Sequence, residues 1–124
     1  MKVLISIKPE YASQIFTGVK KYEYRKTIFK RDNVESLLVY ATNPVKKIIG
    51  EIFIEEILED SPNNIWEATK EYSGVSYNFF MQYYANKSKG YAIKIKKAVL
   101  FERPIGLSDL ERPIKAPQSF CYIE

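Results

Sequence analysis

Within Gly18-Val19-Lys20-Lys21-Tyr22-Glu23-Tyr24-Arg25 stand an amine, a carboxylate and a guanidinium, separated by tyrosines. Lys20 becomes a nucleophile or base if burial or a neighbouring cation lowers its pKa. Glu23 can accept hydrogen bonds from a base edge or a ribose hydroxyl, or take up a proton. Arg25 carries a planar fork matched to phosphate or carboxylate. Plainer roles stay open for each. Lys20 can be a solvated side chain, and Glu23 and Arg25, two apart on one strand face, can form a salt bridge.

Composition limits the chemistry further. The chain has 124 residues, no histidine and a single cysteine, Cys121. No Ser-His-Asp or Cys-His arrangement can form, and a structural zinc site lacks ligands. Any reaction must therefore use Lys, Asp, Glu, Tyr, Ser or Thr, and no metal or cofactor is expected. The length suits one domain, residues 1–124, with one core. No apolar run approaches the roughly 18–20 residues that span a bilayer, and no membrane association is expected. The run Val3-Leu4-Ile5-Ser6-Ile7 is too short for a signal peptide, so a cytoplasmic location is expected. Cys121, between Phe120 and Tyr122, reads as a small core residue.

Charge is distributed unevenly. Residues 1–50 hold ten Lys/Arg against four Asp/Glu, 51–85 one against seven, and 86–124 eight against four, for a net +4. Basic ends around an acidic middle suggest a positive and a negative side, and clustered Lys/Arg suit phosphates.

The elements that must position these residues follow from periodicity and breakers. Val3–Ile7 reads as a buried strand, and Pro9 suits the first turn of a helix carrying Tyr11, Ala12, Ile15 and Phe16. Gly18 stands where that helix needs a left-handed residue, so the charged segment begins the next strand. Leu37–Ala41 and Ile48–Ile54, running on towards Leu58, read as strands, with a bulge or close approach at Gly50. Ser61-Pro62 starts a helix through about Tyr72, and Ser76 caps another carrying Phe79, Phe80, Tyr83 and Tyr84, read as core. Gly90–Phe101 and Ser119–Ile123 complete the strands. The fold class is α+β: a small, mainly antiparallel barrel of five to six strands with about three flanking helices.

Gly18-x-Lys20-x-x-Glu23-x-Arg25 resembles the signature of the ASCH family, in the PUA-like superfamily. Ile7-Lys8-Pro9, Tyr40-Ala41-Thr42 with Pro44, Ile49-Gly50-Glu51, Gly90-Tyr91-Ala92-Ile93 and Pro117-Gln118-Ser119-Phe120 resemble its other blocks, in order. The resemblance implies a PUA-like barrel that binds RNA or a modified nucleotide, or serves coactivation and translation-linked roles. Some relatives it implies are nucleases, or hydrolases of N4-acylated cytidine with a Lys/Thr/Glu catalytic set. Lys20 matches that lysine, Glu23 replaces the threonine, and the third position falls near Ser73, with Glu71 out of register.

The first reading is thus a binding domain for RNA, a nucleotide or a nucleoside. Lys8, Lys20 and Arg25 would meet phosphate, and Glu23 or Ser119 a base or sugar. Tyr40 and Tyr122 are stacking candidates, Thr42 is a further ligand contact, and Lys94, Lys96 and Lys97 form a basic row. Tyr22 and Tyr24 are expected in the core. The alternatives are a metal-independent hydrolase or nuclease, with Lys20 and Glu23 catalytic, and a protein-interaction or regulatory domain using the acidic middle. Protein partners are not read from the sequence.

Overall fold

The computed structural model describes residues 1–123. Six strands, β1 (Lys2–Ile7), β2 (Tyr22–Arg25), β3 (Ser36–Ala41), β4 (Lys47–Asp60), β5 (Gly90–Ile105) and β6 (Phe120–Ile123), form one sheet in the order β2-β5-β4-β3-β1-β6. Only the β1–β3 pair is parallel; the others are antiparallel. The sheet curls into a half-barrel, with β2 and β6 at its edges. Three helices, α1 (Pro9–Phe16), α2 (Pro62–Thr69) and α3 (Tyr77–Tyr83), pack on it. The α+β, PUA-like architecture expected from the sequence is the one observed.

The apolar run of β1 is continuous because both its faces are buried. Val3, Ile5 and Ile7 join Ala12, Ile15, Leu37, Val39, Ile52 and Ile93 in the main core. Leu4 lies on the other face with Tyr40 and Ile48, where Leu107, Leu110 and Ile114 of the C-terminal tail cover them. A third cluster holds α2 and α3 against β2 and β5 through Tyr24, Ile65, Phe80, Tyr84 and Ala92.

Gly50 lies where the β4 pairing shifts register, and a Cβ there would sit 2.5 Å from the Val99 carbonyl oxygen and from the Phe16 ring. Ser61 and Ser76 cap their helices by accepting from the N–H groups of Asn64 and Phe79. The helix expected to reach Tyr72 stops at Thr69 and tightens into a 3-10 turn over Lys70–Tyr72. The Thr69 hydroxyl donates to the Ile65 carbonyl 2.7 Å away and also bonds the Tyr24 hydroxyl at 2.7 Å, drawing the helix end onto β2. No helix among the described residues is long and apolar enough to cross a membrane.

Candidate functional site

Gly18 sets the position of Lys20. Its φ of 86° ends α1 in a left-handed cap, in which Gly18 N–H donates to Ile15 O and Val19 N–H to Gln14 O. Lys20 N–H also bonds Gln14 O, so the chain turns sharply and drives the Lys20 side chain inward. That side chain is only 2% exposed. Its ammonium donates to the Ser73 carbonyl over 2.6 Å and lies 4.5 Å from the centre of the Tyr24 ring. Gly74 makes room for this approach, since a Cβ there would come within 2.9 Å of Lys20 Cβ and Cδ. The Ser73 hydroxyl fixes the turn by donating to Val75 O and accepting from Val75 N–H.

Lys20, Glu23 and Arg25 converge on one cavity of about 210 Å³. Its walls come from β1 (Ser6 and Ile7), α1 (Tyr11), β2 (Tyr24) and α3 (Phe79, Phe80 and Tyr83), with Lys8 and Val75 completing the lining. Tyr11 and Phe79 face each other with ring centres 5.9 Å apart. Phe79 is 40% exposed, so the expectation that it is core is corrected: it lies one step around α3 from buried Phe80 and turns to the cavity. Tyr83 likewise lines the cavity, while Tyr84 is buried as expected. Tyr24 belongs both to the core and to the cavity wall.

Glu23 and Arg25 form the salt bridge left open above, 2.8 Å long with both side chains nearly buried. Arg25 Nε also donates to Glu23 Oε2 over 3.0 Å, Nη2 to Ser6 O over 2.7 Å and Nη1 to Ser119 Oγ over 3.2 Å. These bonds run from edge strand β2 to β1 and to the segment entering β6, so Arg25 is a clasp across the mouth of the half-barrel. Most of its fork is spent within the protein. Glu23, whose Oε2 takes both contacts from Arg25, lines the cavity.

Burial separates the titrations here. Desolvation raises the phenols of Tyr11 and Tyr83, and that of Tyr24 to about 12, away from ionisation at neutral pH. Desolvation lowers Lys20 to about 8; Glu23 opposes this shift and Arg25 assists it. About a tenth of Lys20 is then neutral amine at pH 7. An amine that still donates one N–H to Ser73 O keeps a lone pair for the cavity.

Other candidates lie elsewhere. Tyr40 is buried on the outer face with Leu4 and Ile48. Thr42 shapes the turn after β3, its N–H donating to Ile7 O and its carbonyl accepting from Val45 N–H. The Tyr122 hydroxyl accepts from Lys30 and Arg31 N–H, and the Arg31 guanidinium covers its ring at 4.4 Å. Ser119 does not line the cavity; its hydroxyl accepts from Arg25 Nη1 and its carbonyl from Ser6 N–H. The basic row on β5 is partly neutralised, because Lys94 pairs with Glu55 at 2.9 Å across the β4–β5 ladder. Among the described residues no cluster of three His, Cys, Asp or Glu could hold a metal ion. The contribution of α3 was missed in the sequence, where Phe79 and Tyr83 share their helical spacing with core residues.

The ASCH domain profile matches residues 5–104. Large ribosomal subunit protein uL22 of Ureaplasma parvum is 30% identical over 122 residues, 98% of this chain, but the chain spans only 39% of its length. An ASCH domain-containing ribonuclease of Zymomonas mobilis is 28% identical over 125 residues, covering 98% of this chain and 84% of that protein. The crystal structure of ASCH from Zymomonas mobilis superposes with a TM-score of 0.90 at 28% identity, over 99% of this chain and 87% of that one. A Tyr-to-Phe variant of the same protein gives a TM-score of 0.90 at 27% identity, over 99% and 90% of the two chains. The chain belongs to the ASCH domain family.

Proposed function

We propose that this domain binds single-stranded RNA with one nucleotide in the Lys20–Glu23 cavity and cleaves it without a metal ion. The observation that carries this reading is the buried Lys20 amine, lowered to about 8, at the floor of an aromatic cavity open to solvent. The similarity to a ribonuclease over most of both chains supports it. A base would stack on the exposed ring of Phe79 at the cavity mouth, with Glu23 Oε1 accepting from a base N–H or sugar hydroxyl. Neutral Lys20 would take the 2′-hydroxyl proton as that oxygen attacks phosphorus. The bond to the 5′-oxygen breaks, solvent protonates the leaving oxygen, and a 2′,3′-cyclic phosphate remains. Lys8 at the rim would meet the phosphate.

End-labelled single-stranded RNA incubated with the protein in EDTA should yield 2′,3′-cyclic phosphate ends, whereas DNA of the same sequence should stay intact. Cleavage that requires added magnesium, or that proceeds equally on DNA, would defeat the proposal. The hydrogen bond from Lys20 to the Ser73 carbonyl supports a second reading, since the resemblance to the hydrolases aligns their third catalytic residue near Ser73. Release of cytidine from N4-acetylcytidine, with RNA left uncut, would select it.

Phe79→Ala should weaken RNA binding about 5- to 150-fold, the range for losing one stacked base, and barely change the thermal midpoint. Titration of a fluorescent oligonucleotide against both proteins measures this.

A further inference from the structure

We propose that Lys26 and Lys30, on the segment joining β2 to β3, form a phosphate-binding track that leads RNA away from the cavity. This rests on the RNA reading above and extends its site beyond one nucleotide.

The track begins at the cavity wall. Lys26 follows Arg25 directly, and its ammonium lies 4.6 Å from the centre of the Tyr83 ring, which lines the cavity. A phosphate attached to a nucleotide in the cavity therefore leaves past a cation. Lys30 is four residues on, at most about 14 Å along the chain, a distance that a short extended strand covers.

The segment is anchored, although it has no regular secondary structure. Phe29 is buried and meets Phe120 edge-on, with ring centres 5.9 Å apart. Lys30 N–H donates to the Tyr122 hydroxyl over 2.8 Å. Both lysines thus project from a fixed backbone, and less chain entropy is lost when they engage a ligand.

Their charge is uncompensated. Lys2, Lys70, Lys89 and Lys94 each pair with a glutamate. Among the described residues, Lys8, Lys26 and Lys30 have no ion-pair partner, and Lys26 and Lys30 are exposed. Of the acids in the segment, Glu35 faces the N-terminal ammonium at 3.9 Å, and Asp32 is exposed beyond Lys30. On the β4–β5 side Glu55 and Glu59 take up Lys94 and Lys89, although among the described residues Lys47, Lys96 and Lys97 stay unpaired there, while beside the cavity Lys8, Lys26 and Lys30 form a strip of unpaired cations, the pattern a polyanion selects.

The test compares an oligonucleotide of about twelve residues with a dinucleotide. In Lys26→Glu/Lys30→Glu, affinity for the longer RNA should fall at least about tenfold, while dinucleotide cleavage and the thermal midpoint stay unchanged. The salt dependence should be read with the neutral pair Lys26→Gln/Lys30→Gln, which also serves if charge reversal perturbs folding. Its log–log slope should be shallower by about 1.4, from two phosphate contacts to a single strand. Unchanged affinity and slope in both variants, with wild-type cleavage intact, would overturn the track and leave the cavity reading standing. Loss of dinucleotide cleavage in the neutral pair would also overturn it, by assigning these lysines to the cavity. A wild-type protein that neither binds nor cleaves RNA would remove the cavity reading and the track together.

Discussion

Lys20→Met should lower RNA cleavage by about 10²- to 10⁴-fold, the range for removing a general base, while RNA affinity changes far less. Methionine keeps the buried stem and loses the amine, so kcat should fall and KM should hold. The same substitution changes how stability responds to pH. Lys20 titrates near 10.5 in the unfolded chain and near 8 in the folded one, mainly through desolvation. Between these values the unfolded state binds more protons, so the stabilising change comes as pH rises from about 8 to 10.5. Below pH 8 the folded protein carries the full cost of a buried ammonium. Wild-type stability relative to Lys20→Met should therefore climb by up to about 3 kcal/mol across that window and be flat below it. Denaturant titrations of both proteins give this difference and cancel the tyrosines, which also titrate at high pH.

Arg25→Ala should be the most destabilising of these substitutions. It strands the Glu23 carboxylate, 9% exposed, and releases Ser6 O and Ser119 Oγ from the clasp. Removing one partner of such a pair costs about 3–5 kcal/mol, a fall of roughly 10–20 °C in thermal midpoint. Replacing both charges, as Glu23→Leu/Arg25→Met, should recover much of that loss, because two apolar groups leave no unpaired charge. If Arg25 instead served chiefly to bind phosphate, Arg25→Ala would unfold near the wild-type temperature and lose only affinity.

The edges of the elements were legible because single residues decide them: Gly18 closes α1, Ser61 and Ser76 cap α2 and α3, and Gly50 marks the close approach between strands. Strand alternation left the Glu23–Arg25 pairing open beside ligand contact, and the structure shows the pair formed. The far side of the cavity was not legible. Phe79 and Tyr83 were read as core because helical spacing alone does not show which face of α3 meets the sheet. Tyr40 and Tyr122 were read as stacking residues because they stand at strand ends. Whether an aromatic there meets a ligand depends on what covers it, and the C-terminal tail covers Tyr40 while Arg31 covers Tyr122. The role of Ser73 depends on a backbone carbonyl 53 positions from Lys20, which no side-chain pattern encodes.

The pH dependence of kcat/KM for a short RNA, measured in EDTA, tests the central claim most directly. A Lys20 base near 8 predicts a rate that rises tenfold per pH unit below about 8 and levels above it, with the rise absent from the residual activity of Lys20→Met. A profile flat across that range, or one that Lys20→Met reproduces at full rate, would contradict it.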